Sequence, residues 1–510
     1  MRARDRLLAA LLLAAVTAVV FLPAADGGFS ALDDPDYVTD NAVVLAGLTW
    51  DGVRRAFTET RASNWHPLTW VSHMLDVDLF GLDARGHHAV NVLFHALNAG
   101  LLLLLLSGAT GMLGRSLSAA ALFALHPLRV ESVAWVAERK DVLAGCLTLM
   151  AMLAHCRYAR RPGRLRHAAV VGLAVLAMLA KPSAVALPLL LLVLDWWPLG
   201  RLGPHAGPAA TGGPSVRAVL GEKVPLAAAA AITTGAAFLA QGAAGSMMSF
   251  ATLSVPWRLA NAAVALAVYP AKALWPATLS VIYLHPGPMV PLAAVAVAVL
   301  LLAVGALAAW RLARAKPWLA AGGAWYLAAV LPMLGLVQVG WQSMADRYTY
   351  LPLVGLVLAA VWLAAEAVRG RRAAARALAI CAALVVVVFA GATRARIAAW
   401  RTDEALFGQA VAATGRHWYP VYMLGTALRR DGRPQESLAL FEEVVRRMPA
   451  FLPAYWGLGR ALLDLGRGDE ALAAYEAAAR QDPGSAEARE RLGDAALLVR
   501  GGLPPRGGPP

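Results

Sequence analysis

Apolar runs of roughly 15–20 residues recur from the N-terminus to residue 393, and each is close to the length that crosses a hydrocarbon layer as a helix. A soluble core cannot absorb so many of them. The chain is therefore predicted to be all-α, a polytopic membrane helical bundle. Only 15% of its residues are charged, against 59% hydrophobic. In a soluble protein, a formal net charge of +14 would point to nucleic acid. Here much of the arginine lies in short loops between apolar runs: RYARRPGRLRH (157–167), RLARAK (311–316) and RGRRAAAR (369–376). Such loops mark the cytoplasmic side, and nucleic acid is not an expected partner.

The opening MRARDRLLAALLLAAVTAVVFLPAA has the make-up of a signal peptide. Its length reads as an uncleaved first span, with cleavage after Ala25 as the alternative. Eleven spans follow the charge pattern: about 7–24, 89–107, 116–128, 141–156, 167–181, 183–198, 224–241, 288–309, 318–338, 350–367 and 377–393. The stretch 257–276 would break the parity, so it is predicted to lie at the outer surface or to re-enter. This scheme puts four polar stretches on the outer face: 25–88, 126–141, 242–287 and 338–350. Polar groups converging on one face of a bundle mark a site. The three cysteines, Cys146, Cys156 and Cys381, form no CxxC and suggest no disulfide framework.

After the last run the composition changes. Residues 418–449 and 452–483 superpose at a period of 34: Leu424-Gly425 matches Leu458-Gly459, Gly432 matches Gly466, and Phe441 matches Tyr475. This is the tetratricopeptide pattern of paired helices, an α-solenoid that binds protein or serves as a lid or dimer contact. The predicted domains are a membrane domain at 1–398, with its first outside loop at 25–88, repeats at 399–499, and a tail at 500–510 of disordered composition.

Four stretches carry candidate chemistry. In FSALDDPDYVTDN (29–41), Asp33 and Asp34 lie just outside the first span, where a carboxylate can face a lipid head group or a sugar and act as general base. His87, His88 and His95 suit a polar helix face better than a metal site, since no cysteine or HExxH accompanies them. In HPLRVESVAWVAERKDVLAG (126–145), Arg139 either pairs with Glu131 or Asp141, or binds a phosphate (as could Lys140) while Glu131 orients a sugar hydroxyl. In ADRYTYLP (345–352), Arg347 could grip an anionic lipid phosphate, and Asp346 could neutralise it. Lys181 is either a further phosphate contact or a snorkelling side chain. No GxGxxG, Walker A, GxSxG or HExxH motif supports hydride transfer, ATP hydrolysis or serine-type hydrolysis.

The order DDPDYVTDN, HPLTW, HHAVNVLFHALNA, HPLRVESVAWVAERKDVLAG, ADRYTYLP and then tetratricopeptide repeats resembles the transmembrane and tetratricopeptide repeat-containing protein O-mannosyltransferases and their bacterial relatives, in the GT-C class of membrane glycosyltransferases. The resemblance implies a GT-C type fold. It also implies inverting, metal-independent sugar transfer from a polyprenyl-phosphate donor such as polyprenyl-phosphate mannose, with no cofactor. It puts the protein in a bacterial inner membrane with periplasmic repeats and a protein or glycan acceptor. By the same resemblance Asp33 and Asp34 hold the catalytic position, while His66, His88, His126, Glu131, Arg139, Asp141, Asp346 and Arg347 contact substrate. His66 departs from the pattern, since animal members tend to carry arginine there. A membrane-anchored scaffold is the alternative reading. Eleven spans and intramembrane charges exceed what an anchor needs.

Overall fold

The structure is a computed structural model in which residues 3–61, 63–202 and 214–501 are described. The described residues form helices joined by turns, with isolated bridges and no named strand. Most of the tail expected at 500–510 lies outside them. The chain divides into two compact units. One is Met1–Leu279 with Tyr283–Trp400; the other is Ser280–Ile282 with Arg401–Pro510.

In the first unit, six helices among the described residues are long and apolar enough to cross a membrane: Ala3–Asp26, Ala84–Thr110, Val136–Arg160, Val216–Ala243, Leu292–Leu312 and Arg372–Ala398. Large apolar side chains stand outward on them. Leu300 is 63% exposed and Val387 68%, a surface suited to lipid tails and not to water. The chain is a multi-pass membrane protein. The other five expected spans form shorter helices: Leu113–Ala124, Arg164–Ala180, Leu187–Trp196, Pro317–Val330 and Pro352–Ala367. Proline sets several of these ends: Pro127 follows the first, Pro182 the second and Pro332 the fourth. Irregular backbone at membrane depth is tolerated where it is buried in protein or lines a cavity.

The stretch predicted to lie at the surface is a continuous helix, Val255–Leu274, with Pro270 inside it. Its Ala262, Ala265 and Tyr269 pack on Tyr326, Val330 and Met344. Arg258 is buried and donates to the carbonyls of Met248, Leu253 and Leu336.

Two features fix the bundle. The helices Pro317–Val330 and Pro352–Ala367 meet backbone to backbone: a Cβ on Gly322 would lie 2.5 Å from the Gly355 carbonyl oxygen, and a Cβ on Gly355 2.3 Å from that of Gly322. Elsewhere, Asp195 is wholly buried between His155 (2.8 Å), Arg201 (2.7 Å) and Lys223 (2.6 Å), tying the helix Leu187–Trp196 to Arg139–Arg160 and Val216–Ala243.

The second unit contains the paired helices Trp418–Arg430 with Pro434–Arg447 and Leu452–Asp464 with Gly468–Gln481. Asp403–Ala413 precedes them and Ala486–Gly501 follows. Gly459 is small for a reason. A Cβ there would lie 2.5 Å from the Tyr475 ring, so any side chain would push the two helices of that repeat apart.

Candidate functional site

The four polar stretches meet in the first unit. Asp34 is 1% exposed, and both its oxygens accept backbone N–H groups: Oδ2 from Ser30 and Oδ1 from Ala137, each at 2.7 Å. It ties the first loop to the turn that precedes the helix Arg139–Arg160. Its neighbour behaves differently. The Asp33 side chain is 42% exposed, with Oδ2 3.4 Å from Lys140 Nζ. Adjacent in sequence, the two carboxylates have separate surroundings: one a buried bracket, the other open with a single cation beside it.

Burial pushes the Asp34 carboxyl up from 3.8 to about 7, against the pull of its two backbone N–H donors. A carboxyl that holds its proton more tightly when folded contributes stability that is greatest below about pH 4 and declines as pH rises towards 7. The melting temperature of the wild type minus that of Asp34→Asn should therefore shrink between pH 4 and pH 7, measured by thermal unfolding in detergent. A constant difference across that range would remove this account.

Around Asp33 stands an ion cluster. Lys140 Nζ lies 3.3 Å from Glu138 and 4.4 Å from the Tyr37 ring centroid. Lys181 Nζ contacts Asp141 at 2.6 Å and Glu138 at 3.2 Å. Arg347 pairs with Glu131 through its guanidinium, and its backbone N–H donates to the same carboxylate at 3.0 Å. Its Nε lies 3.2 Å from Glu138, and its guanidinium covers the Trp135 ring at 5.2 Å. These opposing carboxylates hold Arg347 protonated, well above its usual range despite burial. Asp346 accepts from the Tyr283 hydroxyl at 2.9 Å, which brings in the third polar stretch. A cleft opens beside Lys181 and Arg347, walled by Ala144, Leu187, Leu190, Ala329, Met333 and Leu351. Cations at the head of an apolar cleft suit an anionic head group on a hydrocarbon chain.

The structure brings together Asp33, Asp34, Glu131, Asp141, Asp346 and Arg347 from the predicted set. His66 joins at one remove, with its Nδ1 2.6 Å from the Tyr37 hydroxyl. Burial, and then Lys140, push its imidazole well below the usual range.

Three predicted contact residues have partners outside the ion cluster. Arg139 is fully buried and pairs with neither Glu131 nor Asp141. It binds Asp76 at 2.6 Å, Ser72 at 2.9 Å, the His87 carbonyl at 2.8 Å and the Asn91 side chain. Its fork is occupied by these partners and out of reach of solvent. His88 Nε2 lies 3.2 Å from the Gly28 carbonyl and holds the first loop. His126 caps its own turn, accepting from the Leu128 N–H, while Nε2 donates to the Ala273 carbonyl at 2.8 Å.

The expected contact set omitted Glu138, Tyr37, Trp135 and Asp76. The ERKD run (138–141) signals Glu138, but only folding brings the other two cations to it. His73, Asp76 and His87 lie close enough to hold a cation between them. The Asp76 charge is already met there by the Arg139 guanidinium.

The tetratricopeptide repeat family matches residues 422–486 and 457–501. The chain is 38% identical over 100 residues to protein O-mannosyl-transferase TMTC1 of Mus musculus, covering 19% of this chain and 10% of the relative. It is 31% identical over 196 residues to protein O-mannosyl-transferase Tmtc2 of Drosophila melanogaster, covering 35% and 20%. Over these segments the chain is similar to protein O-mannosyl-transferases. A third relative, TMTC4 of Homo sapiens, is 30% identical over 177 residues, covering 31% and 24%. The chain thus spans between a tenth and a quarter of the length of these relatives. Among solved structures, ArnT from Cupriavidus metallidurans bound to undecaprenyl phosphate aligns with a TM-score of 0.38 and 16% identity, covering 91% of this chain and 79% of that one.

Proposed function

We propose that the chain is a membrane glycosyltransferase of GT-C type. It moves a hexose such as mannose from a polyprenyl-phosphate donor to a hydroxyl acceptor on a protein, at the periplasmic face of an inner membrane. The observation that carries this reading is the half-exposed carboxylate of Asp33 beside a cation cluster that heads an apolar cleft. The similarity to protein O-mannosyl-transferases supports the same class.

Lys181 and Arg347 hold the donor phosphate, and the cleft takes the first part of the prenyl chain. Asp33 accepts the proton of the acceptor hydroxyl as its oxygen attacks the anomeric carbon from the face opposite the phosphate. The bond from the anomeric carbon to the phosphate oxygen breaks, and its electron pair leaves with polyprenyl phosphate. The sugar is inverted. Lys181 and Arg347 stabilise the charge that collects on the leaving phosphate. Asp34 fixes the loop that carries the base, and His66 supports it through Tyr37. The repeats bind the acceptor. No residue in the scheme requires a metal or organic cofactor.

The test is to incubate purified protein in detergent with polyprenyl-phosphate mannose and a panel of hydroxyl acceptors. Acceptor-dependent release of polyprenyl monophosphate is expected. No release with mannose, glucose or other hexose donors would remove the assignment.

A further inference from the structure

Glu138 is the one carboxylate in the site that touches all three cations of the cluster. Its Oε1 lies 3.3 Å from Lys140 and 3.2 Å from Arg347, and its Oε2 3.2 Å from Lys181. Each of those cations also has a carboxylate of its own: Asp33 for Lys140, Asp141 for Lys181 and Glu131 for Arg347. Three cations therefore face four carboxyl groups, two of which, Glu138 and Asp141, are also hydrogen-bonded to each other. Glu138 is 1% exposed, so its carboxylate depends on those cations in place of water. A phosphate reaching Lys181 and Arg347 would meet this carboxylate on the same donors. Carboxylate and phosphate oxygens compete for the same N–H groups.

We infer that Glu138 is a resident stand-in for the donor phosphate: the lipid phosphate displaces it from Lys181 and Arg347 on binding, and its return to them expels the lipid phosphate product. This rests on the proposed donor site. Glu138 touches no reacting atom in this scheme and acts as a positioning residue through the cations. Its place suits the movement. It ends the short turn Val136–Glu138, directly before the helix Arg139–Arg160.

The experiment measures binding of a polyprenyl monophosphate to the full chain in detergent, together with steady-state turnover, for wild type, Glu138→Gln and Glu138→Asp. Gln keeps the size and removes the charge that competes with a phosphate for Lys181 and Arg347. Glu138→Gln should bind the lipid phosphate roughly tenfold more tightly, as relief of like-charge repulsion implies. Its KM for the donor and its kcat should fall together, because the product leaves slowly. Glu138→Asp should restore most of the turnover. A residue that only held the fold would raise KM and lower affinity. If Glu138→Gln binds no more tightly than wild type, the inference fails while the donor site stands. If neither protein binds polyprenyl monophosphate, the donor site fails and this inference with it.

Discussion

Asp33→Asn will lower sugar transfer by roughly 10²–10⁴-fold, the usual contribution of a general base, and leave the fold intact. The amide keeps the shape of the side chain and cannot take the acceptor proton. The structural cost is small because Asp33 is half-exposed and its one ion pair, with Lys140 at 3.4 Å, is long. Asp34→Asn will behave differently. That carboxylate has both oxygens on backbone N–H groups, so its variant should loosen the loop and lose activity together with thermal stability. Initial rates with polyprenyl-phosphate mannose, alongside melting curves for both variants, separate the two. Full activity in Asp33→Asn would move the base elsewhere.

Arg139→Ala will damage the fold, not donor binding. The change leaves Asp76 buried with no strong counter-charge and strips partners from Ser72, Asn91 and the His87 carbonyl. Breaking one side of a buried pair costs about 3–5 kcal/mol. The variant should accumulate poorly and melt early in detergent. Arg139→Lys should not rescue it, because an ammonium cannot reproduce the fork that spans these partners. Adding Asp76→Asn should recover part of the stability by removing the stranded charge. The opposite result, a normally stable Arg139→Ala protein with a raised donor KM, would return this residue to the phosphate site.

Much of this architecture can be read along the chain. Long apolar runs announce the bundle because lipid selects hydrophobicity residue by residue, and the 34-residue period announces the repeats because each must bury the same face against the next. Asp33 and Asp34 are visible as a pair for a similar reason: two carboxylates are conspicuous beside an apolar helix. What distinguishes them is not local. Asp34 is buried by the turn at Ala137, more than a hundred residues away, and no feature of DDPD says which carboxylate that turn will cover. Arg139 illustrates the same limit. Glu131 and Asp141 are its near neighbours in sequence, yet its partner is Asp76, on the helix Pro67–Phe80. The end of an apolar helix is likewise hard to place by composition. Ala and Leu run up to His126, Lys181 and Leu331, and the proline after each stops the helix before the hydrophobicity does.

The contact of Gly322 with Gly355 has a consequence for how this site can evolve. The second glycine lies eight residues after Arg347, on the helix that the Asp346–Thr349 turn leads into. Two backbones in direct contact leave no room for even a methyl group, so every single substitution at either position wedges the joint open. That wedge acts as a lever on the segment bearing Arg347. Neither glycine touches the ion cluster, but inheritance of its geometry depends on both. Replacing both glycines together would not relieve the wedge, because each new side chain meets the other helix's backbone carbonyl, so a place where no chemistry occurs is closed to change.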